Sequence, residues 1–342
     1  MENLLNLNVV WFVLIGVLLT GYAILDGFDL GVGAVHLFNK SDEHRRITLN
    51  AIGPVWDGNE VWLVTGGGAL FAAFPIVYAS VFSGFYTAFM LLLFVLIFRA
   101  VAIEFRSKRE SRLWRKTWDV LFSFSSILIA LIMGIAIGNI IQGLPVDANH
   151  EIRISTLSLF NPYALLVGIT TVALFMMHGS IYLVLKTEGE LQQNLRGRVN
   201  NAVIFFVICY AATTMATLIY FPHMAQPFKD HPSLFLLGLL NMLAVANIPR
   251  EIHHGRELRA FLSSAASIAA LMGLFAVGLF PNFVISSTDP NYSLNIYNAA
   301  SSQKTLQIML WVAILGMPFV LSYTISIYWV FRGKVKLNNM SY

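Results

Sequence analysis

Long stretches without a charged residue restrict the fold of this chain more than any other feature. The longest covers residues 61–98, the 38 residues between Glu60 and Arg99. An α-helix of about 20 apolar residues is long enough to cross the hydrocarbon core of a bilayer. Uncharged runs near this length recur along all 342 residues. We therefore predict an all-α integral membrane protein that forms a single transmembrane domain over residues 1–342.

The composition agrees with a membrane protein and excludes several other classes. Hydrophobic residues make up 57% of the chain and charged residues 12%, whereas about 25% charged residues is usual in soluble domains. The basic residues fall mostly in short loops, as membrane topology requires, so the net charge of +4 does not indicate a nucleic-acid partner. Cys209 is the only cysteine, which excludes a disulfide within the chain and a cysteine metal cluster. Only Glu2 carries charge before the first apolar run, so we expect no cleaved signal peptide.

Prolines divide the apolar sequence into separate helices. Pro75 interrupts the long uncharged run, because proline lacks an amide proton and clashes with the preceding helical turn. Most other prolines, including Pro249, fall at or near predicted boundaries, whereas Pro318 lies well inside a helix and should kink it. We predict nine transmembrane helices, at residues 8–37, 52–74, 78–103, 119–141, 161–185, 200–221, 233–249, 260–281 and 305–331.

The basic residues are divided unequally between the two sets of loops that nine helices create. One set holds only Arg153, Lys229 and Lys304. Cytoplasmic loops are the ones enriched in Lys and Arg. The split therefore predicts an N-terminus outside the cell and a C-terminus in the cytoplasm. The other set holds 18 residues: Lys40, Arg45, Arg46, Arg106, Lys108, Arg109, Arg112, Arg115, Lys116, Lys186, Arg196, Arg198, Arg250, Arg256, Arg259, Arg332, Lys334 and Lys336.

Four carboxylates lie in or beside the apolar helices on the predicted cytoplasmic side. Asp26 and Asp29 are in the inner third of the first helix, and Asp57 and Glu60 are in the first turns of the second. Each pair is spaced three residues apart and so shares one helix face. A carboxylate at membrane depth costs roughly 2.5–3.5 kcal/mol, which makes it a candidate functional group. Arg99, near the inner end of the third helix, is the candidate counter-charge to one of these acids.

Each carboxylate has a structural as well as a functional interpretation. Asp26 and Asp29 can cap or snorkel near the interface, or one of them can pair with Arg99 to fix helix packing. Asp57, whose neighbour Asn59 extends the polar row, is the stronger candidate for a group on a proton or cation path.

Other residues of the apolar helices are expected to serve packing. His178 is the only histidine deep in a predicted span, and without a partner histidine it is more simply a hydrogen-bonded packing residue than a haem ligand. Gly27 and Gly31 next to the first acids, and residues 66–68 in the second helix, are expected to permit close approach of neighbouring helices.

Several motifs together resemble those of subunit II of cytochrome bd-type quinol oxidases. The similarity runs over nearly the whole chain, and the motifs in the first 110 residues are the most specific. Residues 186–260 are the least diagnostic, and the chain is shorter there than the longer members of the family. The matching stretches are LDGFDLGVG at 25–33, RR at 45–46, WDGNEVWL at 56–63, GGALFAAFP at 67–75, FSGFY at 82–86, Arg99 with FRSK at 105–108, GN at 138–139 with QG at 142–143, SST at 286–288, and ASSQ at 300–303 with TL at 305–306.

The resemblance implies a fold, an activity and a partner. Complexes of this family oxidise quinol and reduce dioxygen to water, and they build a proton gradient without pumping protons. Subunit II has two four-helix bundles plus one peripheral helix, and subunit I ligates two b-type haems and one haem d. We therefore expect a heterodimer with subunit I in a bacterial inner membrane, in contact with lipid and quinone, in which this chain ligates no cofactor. A small third subunit and a structural quinone are left open.

The resemblance also implies roles for the acids. Protons for water come from the cytoplasm in this family. Asp57 matches the acid of the proton-entry path, and Asp26 and Asp29 match acidic positions near its mouth. Glu60 stands where other members can carry Gln, so its place in the path has less support.

Two other functions are compatible with intramembrane carboxylates. A proton- or cation-coupled secondary transporter uses such acids, but it should also show broken helices or a two-half repeat with polar residues at the midplane. A purely structural scaffold subunit would leave the acids with no part in proton transfer. A transporter purified through this chain would be colourless, whereas an oxidase subunit would carry a haem protein with it. A variant of Asp57 distinguishes a scaffold from a subunit that transfers protons.

Overall fold

The structure, a computed structural model, describes residues 6–337 and is almost entirely helical. Glu2, which entered the signal-peptide prediction, lies outside these residues. The all-α prediction is confirmed except for a short antiparallel ribbon of β1 (Asn282–Val284) and β2 (Leu294–Asn295). The helices are α1 (Leu7–Val35), α2 (Asp42–Ile52), α3 (Trp56–Ala73), α4 (Pro75–Gly84), α5 (Tyr86–Phe105), α6 (Arg112–Gln142), α7 (Pro162–Lys186), α8 (Gly189–Tyr220), α9 (Gln226–Asp230), α10 (Phe235–His253), α11 (Glu257–Leu279) and α12 (Gln303–Val330).

Helix α1 lies at the centre of the bundle and contacts α3, α6, α7 and α11. Its second half is buried because small residues let α7 approach closely. A Cβ atom added to Gly31 would lie 1.8 Å from the carbonyl oxygen of Phe175, and one added to Gly27 would lie 2.8 Å from the ring of Phe175. Gly179 of α7 faces the backbone of Gly31 in the same way. The close approach predicted for Gly27 and Gly31 is therefore present.

The glycines of α3 differ from those of α1. A Cβ atom added to Gly66 would lie 3.1 Å from the side chain of Leu19 on α1. Positions Gly67 and Gly68 have no atom within 4 Å of an added Cβ. The close approach predicted for Gly67 and Gly68 is therefore not made by helices within residues 6–337, and for helices of another chain it stays a prediction.

Eight helices in the described part of the chain are long and apolar enough to cross a membrane, namely α1, α5, α6, α7, α8, α10, α11 and α12. The predicted span at residues 52–74 corresponds to α3, which is 18 residues long and is not among the eight. Asp57, Asn59 and Glu60 fall in its first turns and reduce its apolar character. The predicted count of nine spans therefore depends on whether α3 crosses the bilayer.

Helix α3 nevertheless runs antiparallel to α1 over most of its length. Near its start, Asn59 Nδ2 donates a hydrogen bond to the carbonyl oxygen of Leu25 at 3.3 Å. One turn later, the ring of Trp62 covers Gly21, where an added Cβ would lie 2.5 Å from the ring. An 18-residue helix is about 27 Å long, which is close to the roughly 30 Å thickness of the hydrocarbon core.

The predicted span at residues 78–103 is wrong in its extent. The helix is interrupted at Phe85, where α4 ends and α5 begins. Gly84 packs against Ile152 of the loop after α6, and an added Cβ would lie 2.7 Å from the side chain of Ile152. Helix α4 has ten residues and is only about 15 Å long, so the membrane-spanning part of this region is α5.

Two further details differ from the sequence prediction. Helix α10 continues through Pro249 to His253, although Pro249 was expected at its boundary.

The amphipathic helix α2 was not predicted. It begins after Ser41, whose Oγ accepts a hydrogen bond from the backbone N–H of His44 at 3.1 Å, and it buries Leu49 among other apolar residues.

The chain has two chemically different ends. We call the end formed by residues 36–55, 105–112, 186–189, 253–257 and 331–337 the basic end, because the 18 basic residues of the predicted cytoplasmic loops lie in or next to these segments. The segments contact one another: Arg106 donates a hydrogen bond to Asp42 at 2.7 Å, and Lys186 donates to the carbonyl of Gly333 at 3.0 Å. Which end faces the cytoplasm stays a prediction.

Helix α12 lies at the periphery and contacts α1 and α3. Leu306 is its one buried residue. At the end opposite the basic end, the indole nitrogen of Trp11 donates to the carbonyl of Leu306 at 2.9 Å. At the basic end, Lys186 binds the carbonyls that follow the helix. The division of the other helices into two bundles of four stays a prediction.

Candidate functional site

Asp26 of α1 and Arg99 of α5 form an ion pair inside the bundle. Neither side chain has any exposed surface. Arg99 Nη1 donates a hydrogen bond to Asp26 Oδ2 at 2.9 Å, and Nη2 donates to Oδ1. A guanidinium that engages both oxygens fixes the geometry of the pair and compensates the buried negative charge. The sequence left open which acid would face Arg99, and the structure brings Arg99 to Asp26.

Asp29, one turn further along α1, is fully buried and is bound by a neutral group instead. Its Oδ2 accepts a hydrogen bond from Asn59 Nδ2 at 2.7 Å. Its Oδ1 is buried and has no hydrogen-bond partner within residues 6–337. Tyr328 of α12 donates its hydroxyl hydrogen to Asn59 Oδ1 at 2.8 Å. Three helices thus meet through side chains at this carboxylate.

The two acids of α3 have different surroundings. Glu60 is partly buried and lies close enough to Asp26 and Arg99 to interact electrostatically with both. Asp57, one turn earlier, is exposed. Val61, one turn after Asp57, is 53% exposed, so this side of α3 is open along more than one turn. We call Asp26, Asp29, Asn59, Glu60 and Arg99 the acid cluster.

The structure thus brings together four of the five residues predicted for the site and leaves Asp57 at the surface beside them. The sequence did not indicate that Asn59 would bridge to Asp29, or that Tyr328 would contact Asn59. Tyr328 is 269 residues away from Asn59 in the chain. Tyrosine is common near the ends of membrane helices, so nothing in the sequence distinguishes Tyr328.

A second group of buried charges, which the sequence prediction missed, lies at the basic end. Asp119 of α6 accepts hydrogen bonds at Oδ1 from His36 Nε2 at 2.7 Å and from Arg106 Nε at 2.5 Å. Its Oδ2 accepts from Arg45 Nη1 at 3.0 Å. Arg106 also donates to Asp42, which is half exposed. We call Asp119, His36, Arg106, Arg45 and Asp42 the basic-end network.

His178 has the packing environment that the sequence predicted. Its Nδ1 lies 2.7 Å from Ser264 Oγ, and its Nε2 lies 3.0 Å from the carbonyl oxygen of Ile24. Its ring stacks on Phe261 with 4.9 Å between the ring centroids. Both ring nitrogens are therefore engaged within the chain. No group of three His, Cys, Asp or Glu side chains among residues 6–337 is arranged to hold a metal ion.

An apolar cavity of about 610 Å³ lies between α1, α5, α6, α7, α8, α10 and α11. Tyr22, one turn before Asp26 on α1, contributes to its wall. Leu92 and Phe275 line it from other helices, and Thr170 and Thr213 supply hydroxyl groups that hydrogen-bond to each other at 2.7 Å. This cavity is a candidate location for a structural quinone, and the presence of a quinone stays a prediction.

Comparison with known proteins identifies the family. The sequence matches the model of cytochrome bd terminal oxidase subunit II over residues 7–331. The chain belongs to this family. The subunit 2 of cytochrome bd-I ubiquinol oxidase from Escherichia coli (strain K12) is 35% identical, and the alignment covers 96% of this chain and 95% of that protein. The subunit 2 of cytochrome bd ubiquinol oxidase from Bacillus subtilis (strain 168) is 34% identical, with 96% and 97% covered.

A solved structure shows the same fold. A chain of the bd oxidase from Geobacillus thermodenitrificans superimposes with a TM-score of 0.79, covering 96% of this chain and 98% of that one at 14% sequence identity. The resemblance to subunit II that the motifs indicated is therefore confirmed. As a member of the family, the chain is part of a quinol oxidase complex with a subunit I and is a multi-pass membrane protein.

Proposed function

We propose that this chain supports the haem-bearing subunit I of a bd-type oxidase and supplies carboxylates to the cytoplasmic proton-entry path. The complex would oxidise quinol, reduce dioxygen to water and build a proton gradient without pumping. The two b-type haems and haem d would belong to subunit I. The chain's own task would be to bind protons from the cytoplasm and pass them towards the partner.

The observation that carries this proposal is the incomplete pairing of Asp29. Arg99 compensates the charge of Asp26, so Asp29 has no cation of its own when it is ionised. The buried Oδ1 of Asp29 has no partner in the described part of the chain and can hold a proton without breaking a hydrogen bond. A group that changes its protonation easily is what a proton path needs.

Asp57 suits the position in the same path at which the chain exchanges protons with its surroundings. It is exposed on α3, beside the partly buried Glu60, which interacts electrostatically with Arg99. A carboxylate on an uncovered helix face can exchange protons with water or with a group of the partner subunit. We therefore keep Asp57 as the proposed relay, with Asp26, Asp29 and Glu60 as acids of the entry region and Arg99 as their counter-charge.

The proposed topology has nine spans, with α3 as the ninth, the N-terminus outside and the basic end in the cytoplasm. The antiparallel contact of α3 with α1 supports the count, and the segregation of basic residues supports the orientation. A reporter fused at the C-terminus should be cytoplasmic, and one inserted next to Asn149 should be external. A cytoplasmic signal from the insertion at Asn149 would refute this topology.

A scaffold subunit is the remaining alternative, because membership of the oxidase family favours an oxidase subunit over a transporter. Asp57→Asn keeps the volume of the side chain but cannot titrate. In the purified complex it should slow quinol oxidase turnover tenfold or more, a barrier increase of about 1.4 kcal/mol, with haem content unchanged. Glu110→Gln, a change at another exposed acid, should keep the wild-type rate. Wild-type turnover of Asp57→Asn in an assembled complex would favour the scaffold.

A further inference from the structure

The acid cluster is connected to the peripheral helix α12 through Tyr328. The Tyr328 hydroxyl donates to Asn59 Oδ1 at 2.8 Å. Its ring and that of Phe28 on α1 pack edge to face, with 6.5 Å between the centroids and an interplanar angle of 85°. The ring thus packs against the core while the hydroxyl alone reaches the polar group, so the two contributions can be separated by removing one oxygen atom.

The hydrogen bond from Tyr328 contributes to the orientation of the Asn59 amide. An asparagine side chain has one acceptor oxygen and an NH₂ group with two hydrogens. Here the oxygen accepts from Tyr328, and the NH₂ group donates to Asp29 Oδ2 at 2.7 Å and to the Leu25 carbonyl at 3.3 Å. Asn59 is 2% exposed, so water does not replace these partners. Rotating the amide by half a turn would break all three bonds.

The orientation of Asn59 determines which oxygen of Asp29 can carry a proton. Oδ2 already accepts a hydrogen bond from the Asn59 NH₂ group, which occupies one of its two lone pairs. Oδ1 is buried and has no partner within residues 6–337. The neutral carboxyl group has a single O–H, so its hydrogen is better accommodated on Oδ1.

We propose that Tyr328 is a positioning residue for proton uptake by Asp29. Through Asn59 it holds Oδ2 as a hydrogen-bond acceptor and leaves Oδ1 as the atom that gains and releases the proton. In uptake, an O–H bond of hydronium on the cytoplasmic side breaks and the O–H bond of Oδ1 forms. In release, the O–H bond of Oδ1 breaks and the proton binds an acceptor on the side of the partner subunit, with no change of oxidation state. The inference rests on the proposed function, because it requires that Asp29 change protonation during turnover.

The position of the Tyr328 hydroxyl is fixed by the fold around it. Just beyond Tyr328 the chain leaves α12 and returns to the end of α7. Lys186 Nζ donates to the carbonyls of Phe331 and Gly333, the latter at 3.0 Å, and the backbone N–H of Val335 donates to the Lys186 carbonyl at 2.9 Å. This clasp ties the end of α12 to a helix that packs directly on α1, so the hydroxyl cannot move far from Asn59.

The test compares two tyrosines of α12 in the purified oxidase complex. Tyr328→Phe removes the hydroxyl that binds Asn59 and keeps the ring. Tyr323→Phe is the matched control, because Tyr323 is 67% exposed on the same helix. Tyr328→Phe should slow quinol oxidase turnover per haem by about threefold or more at unchanged haem content, whereas Tyr323→Phe should not. A threefold loss would indicate that the position of Asp29 affects proton delivery.

A spectroscopic measurement separates positioning from general damage. In redox-induced infrared difference spectra, Asp29→Asn should remove one carboxyl band. Tyr328→Phe should move that band, and Tyr323→Phe should leave it in place. In the Asp29→Asn background, Tyr328→Phe should cause no further slowing, because no titratable group remains to be positioned.

The outcomes distinguish the inference from the proposed function. If Asp29→Asn slows turnover and removes the band while Tyr328→Phe changes neither rate nor band, the inference is wrong and the proposed function stands. Equal slowing by Tyr328→Phe with and without Asp29 also overturns the inference. If Asp29→Asn has the wild-type rate and the wild-type spectrum, Asp29 carries no proton in turnover, and both the proposed role of Asp29 and the inference fail.

Discussion

The acid cluster and the basic-end network both contain a buried aspartate, and they differ in how completely that aspartate is bound. Asp119 in the basic-end network accepts hydrogen bonds from His36, Arg106 and Arg45. Asp29 in the acid cluster accepts one hydrogen bond from the neutral amide of Asn59. Both residues are at most 1% exposed, so the main difference between them lies in their partners.

The difference shows how a buried aspartate can serve two purposes in one protein. Protonating Asp119 would remove the buried charge that compensates Arg106 and Arg45, which is costly. Protonating Asp29 leaves every hydrogen bond of its Oδ2 intact. We therefore interpret Asp119 as a permanent charge that joins α1, α2, α5 and α6, and Asp29 as a charge that can change.

The largest effect is expected from breaking the single ion pair of the acid cluster. Arg99→Gln leaves Asp26 buried without a cation, and removing one partner of a buried pair costs about 3–5 kcal/mol. We expect little assembled oxidase, measured as haem absorbance that co-purifies with this chain. Near-normal assembly of Arg99→Gln would mean that the pair is not needed for the fold.

A second substitution controls for the loss of the guanidinium itself. Asp26→Asn combined with Arg99→Gln removes both charges and leaves two neutral amide groups that can bind each other. The double variant should assemble better than Arg99→Gln alone, because the uncompensated carboxylate is gone. Additive losses would show that the two side chains contribute to assembly independently.

The next effect separates stability from catalysis. Asp119→Asn presents an NH₂ group to donors that need an acceptor, which should lower the stability of the complex by about 2–3 kcal/mol. The loss should appear as a lower temperature for the thermal loss of haem absorbance. Turnover per haem should stay near the wild-type rate. A fall in turnover of Asp119→Asn like that expected for Asp57→Asn would contradict the division between the two regions.

The sequence predicted most of the helices because long apolar runs determine them locally. The first span was predicted at 8–37, and α1 covers Leu7–Val35. The break at Phe85 was missed, and beside it Gly84 packs against Ile152, which is far away in the chain. Contacts of this kind leave no periodic pattern in the residues around them.

The acid cluster was partly predictable for a similar reason. A carboxylate inside an apolar run is conspicuous, so Asp26 and Asp29 could be identified from their positions alone. Their spacing put both on one face of α1. Which of the two pairs with Arg99 depends on the position of α5 along the axis of α1, which the sequence does not determine. Asp119 was overlooked because it closely follows Arg112, Arg115 and Lys116. A charged residue in that position is expected at the membrane surface and does not stand out.

A smaller effect is expected when Asp119 loses one of its several donors. Arg45→Gln removes a hydrogen bond of 3.0 Å from a side chain that is 22% exposed, while His36 and Arg106 remain. The cost should be about 1 kcal/mol, seen as a modest fall in the temperature of haem loss. This loss should be well below that of Asp119→Asn. An effect as large as that of Asp119→Asn would mean that Arg45 alone compensates the carboxylate.

The smallest effect is expected at the exposed edge of the basic-end network. The side chain of Asp42 is 47% exposed and pairs with Arg106 at 2.7 Å and with Arg115 at 2.9 Å. Exposed ion pairs contribute little, so Asp42→Asn should cost about 0.5 kcal/mol or less. The difference from wild type should shrink further in high salt, because exposed charges are screened. Arg115→Gln should behave in the same way. A loss of stability as large as that of Asp119→Asn, and unaffected by salt, would contradict this expectation. It would mean that Arg106 depends on Asp42 as much as on Asp119.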